Sequence, residues 1–213
     1  VIRRVLDPTL YLVADGGACG ERGVVATVAA AVAGGVTAVQ LRDHRATTRE
    51  LLDTASELRD MLAGTGVCFL VNDRLDVALS AGADGVHLGQ SDLPVEDARA
   101  IAGPDFIIGW SVTNIAEART AAALPPGMAD YLGVGPIFPT PTKADATPPM
   151  GVDGLRAVCD LSLLPCVAIG GITADQTGGL FAAGAAGVAV VAAICSATDP
   201  RRAAAELRQR CAR

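Results

Sequence analysis

Residues 38–74 read AVQLRDHRATTRELLDTASELRDMLAGTGVCFLVNDR, and three segments within them decide the fold. Residues 38–42 (AVQLR) form a short apolar run that ends in charge, as a buried strand does when it surfaces. Residues 48–63 carry Leu51, Leu52, Ala55, Leu58 and Leu62 on one side of a helix. Thr47 or Thr48 can cap it. Residues 67–72 (VCFLVN) are again apolar and strand-like. Strand, amphipathic helix and strand joined by short connections make a parallel pair with a right-handed crossover.

The same unit recurs in both directions. Strands are expected at 10–14, 38–42, 67–72, 85–89, 106–112, 166–170 and 187–194, with one more starting at Tyr131. Helices are expected at 24–33, 48–63, 75–81, 94–102, 115–124, 152–161, 174–183 and 200–209. Gly34-Gly35, Gly82 and Gly184 act as helix stops, and Pro94 suits a first helical turn. Eight such units close most naturally into a (β/α)8 TIM barrel, here one domain over residues 1–213. An open doubly wound sheet would start with a glycine-rich fingerprint, which Asp15-Gly16-Gly17-Ala18 does not match.

Composition agrees. Aromatic residues make up only 3% of the chain, so Val, Ala, Leu and Ile must build the core, as in parallel strands buried on both faces. The net charge of −6 argues against a nucleic-acid surface, and an anionic substrate would need positive charge or a metal gathered locally. The six cysteines have no zinc-type spacing and read mostly as small core residues. The sequence has no secretory signal and no apolar run of membrane-spanning length, so a cytoplasmic location is expected and no membrane partner. Assembly into a homo-oligomer stays open.

In a barrel of this kind chemistry sits where strands end. Gln40, Arg42, Asp43 and His44 follow one another at the second strand end, and Asn72, Asp73 and Arg74 at the third. Gln90, Ser91 and Asp92 follow the fourth, and Ser111 and Thr113 lie on or after the fifth. Gln40 and Arg42 share one side of a strand. Arg42 must meet either an acidic neighbour or a ligand phosphate. Asp73 and Asp92 can each be a helix N-cap. As a pair at adjacent strand ends they would repel without a cation, and hard oxygen ligands beside a diphosphate suit Mg2+. His87 points either into the barrel or toward the helices, and reads as a satisfied buried histidine rather than a catalytic one.

Residues 131–151, YLGVGPIFPTPTKADATPPMG, break from a strand into a proline-stiffened loop. Thr140, Thr142 and Lys143 give that loop two hydroxyls and an ammonium, which suit a phosphate ester; a solvated surface loop is the plainer alternative. Gly170-Gly171 lets backbone amides approach a phosphate at a helix start.

VQLRDH (39–44), VNDR (71–74), GADGVHLGQSDLP (82–94), GWS (109–111), DYLGVGPIFPTPTK (130–143) and AIGGI (168–172) together resemble the thiamine-phosphate synthase family. The resemblance runs from about Tyr11 to the last helix. It implies a transferase of thiamine biosynthesis that joins a pyrimidine diphosphate to a thiazole phosphate with Mg2+, releasing pyrophosphate. It implies that Gln40, Arg42, His44 and Asn72 contact the pyrimidine diphosphate and that Asp73 and Asp92 bind Mg2+. Ser111 would meet the pyrimidine, Thr140 and Thr142 the thiazole phosphate, and Lys143 the diphosphate. Gly171 and Val191-Ala192 would complete the thiazole phosphate cup. Arg42, Lys143 and Ser111 would carry the catalysis.

Two positions depart from the pattern: the family usually has Lys where this chain has His44, and often Ser where it has Ala192. A thiazole tautomerase-like isomerase is a rival, but that relative places a histidine just after the fifth-strand serine, where Val112 stands. A non-catalytic phosphate binder, degenerate through His44 and Ala192, is another. An unrelated phosphate-binding barrel enzyme is a third.

Overall fold

The computed structural model describes residues 5–140 and 148–211. Eight parallel strands close into a barrel in sequence order, β1 (Leu10–Asp15), β2 (Ala38–Arg42), β3 (Cys68–Asn72), β4 (Gly85–Leu88), β5 (Ile107–Val112), β6 (Tyr131–Val134), β7 (Cys166–Ile169) and β8 (Gly187–Val190). Closure is made where Leu10, Tyr11 and Leu12 pair with Val188, Ala189 and Val190. The expected (β/α)8 TIM barrel is the observed fold.

Helices in the described residues are α1 (Gly16–Cys19), α2 (Val24–Ala33), α3 (Thr48–Leu62), α4 (Leu75–Ala81), α5 (Val95–Ala102), α6 (Ile115–Ala122), α7 (Gly151–Leu161), α8 (Thr177–Ala182), α9 (Ala192–Cys195) and α10 (Pro200–Arg210). Thr47 is the cap of α3. Its hydroxyl accepts from the Glu50 N–H and the Glu50 carboxylate accepts from the Thr47 N–H. Those hydrogen bonds hold the Glu50 carboxyl below its ordinary pKa. Gly82 closes α4 in the left-handed conformation.

Three expectations change. The last strand ends at Val190, and residues 192–195 turn into α9 instead of continuing it. Residues 174–183 begin as a tight 3-10 turn before α8, because Thr173 and Gln176 cap that turn reciprocally. The short helix α1 after β1 was not expected; Asp15 starts it by accepting the Ala18 N–H at 3.0 Å.

Side chains sort by strand alternation into two buried clusters. Tyr11, Val13, Leu70, Ile107, Tyr131 and Val167 fill the barrel interior, while Leu12, Leu41, Val71, Val86 and Leu132 face the helices. Cys19, Cys68, Cys166, Cys195 and Cys211 are buried and Cys159 is half-buried, all as free thiols.

Carboxylates at the opposite, N-terminal end are structural. Asp84 accepts the Phe69 N–H at 2.9 Å, and Asp130 accepts from Ile108 N at 2.8 Å and Arg99 at 2.9 Å. Both aspartates belong to the sequence blocks that carried the resemblance, so part of that pattern is there to hold the barrel.

Candidate active site at the C-terminal mouth

Alternation puts Gln40 and Arg42 of β2, Asn72 of β3, His87 of β4 and Ser111 of β5 on the inward side, toward the C-terminal ends of their strands. Beneath them lies the apolar plug. Gln40 is only 4% exposed and stands at the floor of the mouth.

One hydrogen-bonded chain crosses that floor. The Gln40 amide nitrogen donates to the Tyr11 hydroxyl at 3.0 Å, and the Tyr11 and Tyr131 hydroxyls are 2.9 Å apart. His87 Nδ1 is 2.9 Å from the Tyr131 hydroxyl, and its Nε2 is 2.9 Å from Ser111 Oγ. The side chain of His87 therefore points into the barrel and is satisfied on both nitrogens. Burial pushes the Tyr11 and Tyr131 phenols up from their ordinary pKa, so both keep their protons at neutral pH.

Glycines make room for this chain. A methyl on Gly109 would come within 2.2 Å of the Tyr131 ring, and one on Gly133 within 2.8 Å of the His87 ring. The Gln90 side chain pins the far side of Ser111 by donating to its carbonyl at 2.6 Å.

Arg42 has an acidic neighbour, Asp15, at 2.5 Å, and both side chains are more than four-fifths buried. The pair uses one of the five guanidinium donors. Asp15 was not singled out from the sequence. Its signal was its place before Gly16-Gly17-Ala18, the pattern of a helix cap.

Asp73 is not a side-chain cap, because α4 starts after Arg74 without one. Its backbone instead has φ +61°, a conformation uncommon outside glycine. Its N–H donates to the His87 carbonyl at 2.8 Å, which ties it to the end of β4. Its carboxylate is 4.0 Å from His44 Nδ1. Arg74 turns away and binds Asp76 and the Thr48 hydroxyl. Asp92 is not a side-chain cap of α5 either; it folds back to accept the Gly89 N–H at 2.7 Å.

No group of three or more His, Cys, Asp or Glu among the described residues could hold a metal. Asp73 and Asp92 still fit a hard divalent ion. They follow neighbouring strands, the Gly89 N–H engages one carboxylate oxygen of Asp92, and Mg2+ commonly takes one or two protein carboxylates with the rest from phosphate and water.

Across the mouth, the chain after β6 packs on the end of β7. Ile137 N donates to the Ile169 carbonyl at 2.9 Å and Phe138 N to the Gly170 carbonyl at 3.0 Å. Gly171 has φ +64°, and a methyl there would meet the Pro139 carbonyl at 2.4 Å. Thr140, half-buried, follows directly. Thr142, Lys143 and residues 144–147 lie outside the described residues. Val191 and Ala192 form the turn between β8 and α9. Thr113 leaves the candidate set, because Glu117 binds both its N–H and its hydroxyl at the start of α6. Val112 is fully buried against the helix layer, where a tautomerase-like histidine would have to stand.

The family model for thiamine monophosphate synthase matches residues 10–194. A thiamine-phosphate synthase from Albidiferax ferrireducens is 52% identical over 200 residues, covering 94% of this chain and 90% of the relative. One from Chloroflexus aurantiacus is 47% identical over 207 residues, covering 97% and 94%. The solved thiamine phosphate pyrophosphorylase from Pyrococcus furiosus superposes with a TM-score of 0.86 at 39% identity, covering 97% of this chain and 96% of that one. A 3-hexulose-6-phosphate synthase shares the fold, at a TM-score of 0.71 and 19% identity.

Proposed function

The chain belongs to the thiamine-phosphate synthase family of transferases, and from that premise we propose how the mouth of the barrel joins a hydroxymethylpyrimidine diphosphate to a thiazole phosphate. The C–O bond to the diphosphate breaks heterolytically. Pyrophosphate leaves with the bonding electrons, and the pyrimidine methylene is left as a ring-stabilised cation. The thiazole nitrogen then forms the new C–N bond, giving thiamine phosphate.

The single observation that carries this reading is the convergence of Gln40, Arg42, His44, Asn72, Asp73 and Ser111 on one end of the barrel. The chemistry asks for no strong nucleophile. It asks for fixed charge where the leaving group becomes more negative, and for a site that excludes water. Arg42, held in place by Asp15, is one such charge, with Lys143 as the second. His44 stands where the family usually has a lysine, and as an imidazolium it would do the same work. Asn72 would add a hydrogen bond to the diphosphate, and Gln40 would contact the pyrimidine diphosphate from the floor. Ser111 would bind the pyrimidine.

Asp73 and Asp92 would hold Mg2+, which when bound supplies positive charge to the departing pyrophosphate. Thr140, Thr142, Gly171 and the backbone at Val191-Ala192 would hold the thiazole phosphate. Losing the Ser hydroxyl at Ala192 still leaves a backbone amide there. The reading needs neither nucleic acid nor a membrane surface, and no described helix is long and apolar enough to cross a membrane. We assign it to the cytoplasm, as one domain over residues 1–213, and a homo-oligomer is compatible with it.

The test is to mix the purified protein with both substrates and Mg2+ and follow pyrophosphate and thiamine phosphate. Equimolar release of the two is expected. Binding of both substrates without product would instead make this chain a degenerate phosphate binder.

A further inference from the structure

The chain from Gln40 to Ser111 takes one direction when every buried proton in it is given an acceptor. An amide nitrogen only donates, so the Tyr11 oxygen accepts from Gln40. A phenol oxygen can accept twice, so the 2.9 Å to the Tyr131 oxygen fits either donor; Tyr11 donating to Tyr131 is the arrangement that leaves neither buried hydroxyl proton without an acceptor. In that arrangement Tyr131 donates to His87 Nδ1, 2.9 Å away. A neutral imidazole that accepts at Nδ1 carries its proton on Nε2. Nε2–H would then donate to Ser111 Oγ, 2.9 Å away. Ser111 would then accept at its oxygen, which leaves its own O–H to donate to whatever occupies the mouth.

We propose that the Gln40–Tyr11–Tyr131–His87 chain is a polarised relay that fixes Ser111 as a hydrogen-bond donor, with Tyr131 and His87 as positioning residues for recognition of a lone-pair acceptor, such as a pyrimidine ring nitrogen. The pyrimidine assignment rests on the functional reading above; the polarity rests on the hydrogen-bond distances and on pairing every buried proton. Several features support the relay. Both phenols are fully buried, and burial favours their protonated, donating form. Each link at about hydrogen-bond length polarises the next. Gly109 and Gly133 keep open the space that the Tyr131 and His87 rings need. With the opposite polarity Ser111 would donate to His87 and offer only an acceptor to the mouth. It would then favour a ligand N–H over a bare ring nitrogen.

The experiment reads the tautomer of His87 directly. The chain has only two histidines, so protein labelled with 15N-histidine gives two imidazole patterns, and His87→Gln identifies which is which. The wild-type protein, without substrates, is expected to show the Nε2–H tautomer at His87. Tyr131→Phe removes the donor to Nδ1. The Nδ1–H tautomer should then grow, and the KM for the pyrimidine diphosphate should rise about tenfold, the size of one lost hydrogen bond. The KM for the thiazole phosphate should stay where it was. Tyr11→Phe lies one link further away and touches neither His87 nor Ser111. It should shift the tautomer the same way by less, and it decides the question if Tyr131→Phe does not fold.

An Nδ1–H tautomer in the wild type overturns the relay. So does a folded Tyr131→Phe protein whose tautomer or pyrimidine KM is unchanged. If the wild type makes no thiamine phosphate, the functional reading fails, and the tautomer measurement still decides the polarity.

Discussion

Nη1 of Arg42 lies 2.5 Å from the Asp15 carboxylate, joining the ends of β1 and β2 where both are largely buried. The same carboxylate starts α1 by accepting the Ala18 N–H. One side chain therefore aims the guanidinium and folds the loop beside it. Asp15→Ala removes both. The expected loss is about 1–3 kcal/mol, a cap plus a charge-assisted hydrogen bond. Urea denaturation measures it, and a wild-type midpoint would mean that Arg42 is held by something else. Turnover should fall too, since the guanidinium is no longer fixed.

Asp73→Asn and Asp92→Asn should leave the fold intact, because neither carboxylate caps a helix. Each should raise the Mg2+ concentration for half-maximal activity by at least the ~10–100-fold that losing an outer-shell partner costs a metal site. Activity titrated against Mg2+, with circular dichroism as the control for folding, checks this. Chelating Mg2+ from the wild type should abolish pyrophosphate release.

The buried phenols predict alkaline lability. Desolvation raises Tyr11 and Tyr131 above the ordinary value of 10.0, so the folded state holds protons that the unfolded chain gives up. Their stabilisation is complete below about pH 10 and is lost as pH rises toward the raised folded values. Thermal melting from pH 8 to 11 should therefore show a steeper decline for the wild type than for Tyr11→Phe or Tyr131→Phe. Parallel curves would count against the two phenols as the cause.

Gly109→Ala drives a methyl into the Tyr131 ring, which is closed in on every side. A loss of about 1–3 kcal/mol is expected from overpacking. Gly133→Ala meets the His87 ring at 2.8 Å instead. That ring is less buried, so stability should fall less, while the KM for the pyrimidine diphosphate should rise as His87 moves off Ser111. Denaturation and steady-state kinetics on the two variants separate the effects.

Lys143→Ala should lower turnover by tens-fold or more, given the ~10²–10³-fold effect of deleting one preorganised stabilising contact. Single-turnover pyrophosphate release is the measurement. Near-wild-type release would remove Lys143 from the leaving-group machinery.

Much of the barrel was legible because its two periodicities are local. A run such as AVQLR and an amphipathic segment such as residues 48–62 announce themselves within a few residues, and β2, α2 and α4 match their expected bounds. The errors fell at β8 and residues 174–183, where an apolar stretch reads the same as strand or as helical turn. The candidate residues were legible only as a set of strand ends. That neither Asp73 nor Asp92 caps a helix depended on local backbone geometry, and the φ of +61° at Asp73 is invisible in the letters VNDR.

The sequence by itself determined that eight βα units would close on one another and that polar residues would gather at one end, because both follow from spacing along the chain. Only the tertiary structure decided who touches whom across the barrel. Tyr11 and Tyr131 are 120 positions apart, yet their hydroxyls share a hydrogen bond. No local pattern encodes that contact, because it arises when strand alternation points both rings inward and the closed sheet brings opposite walls together.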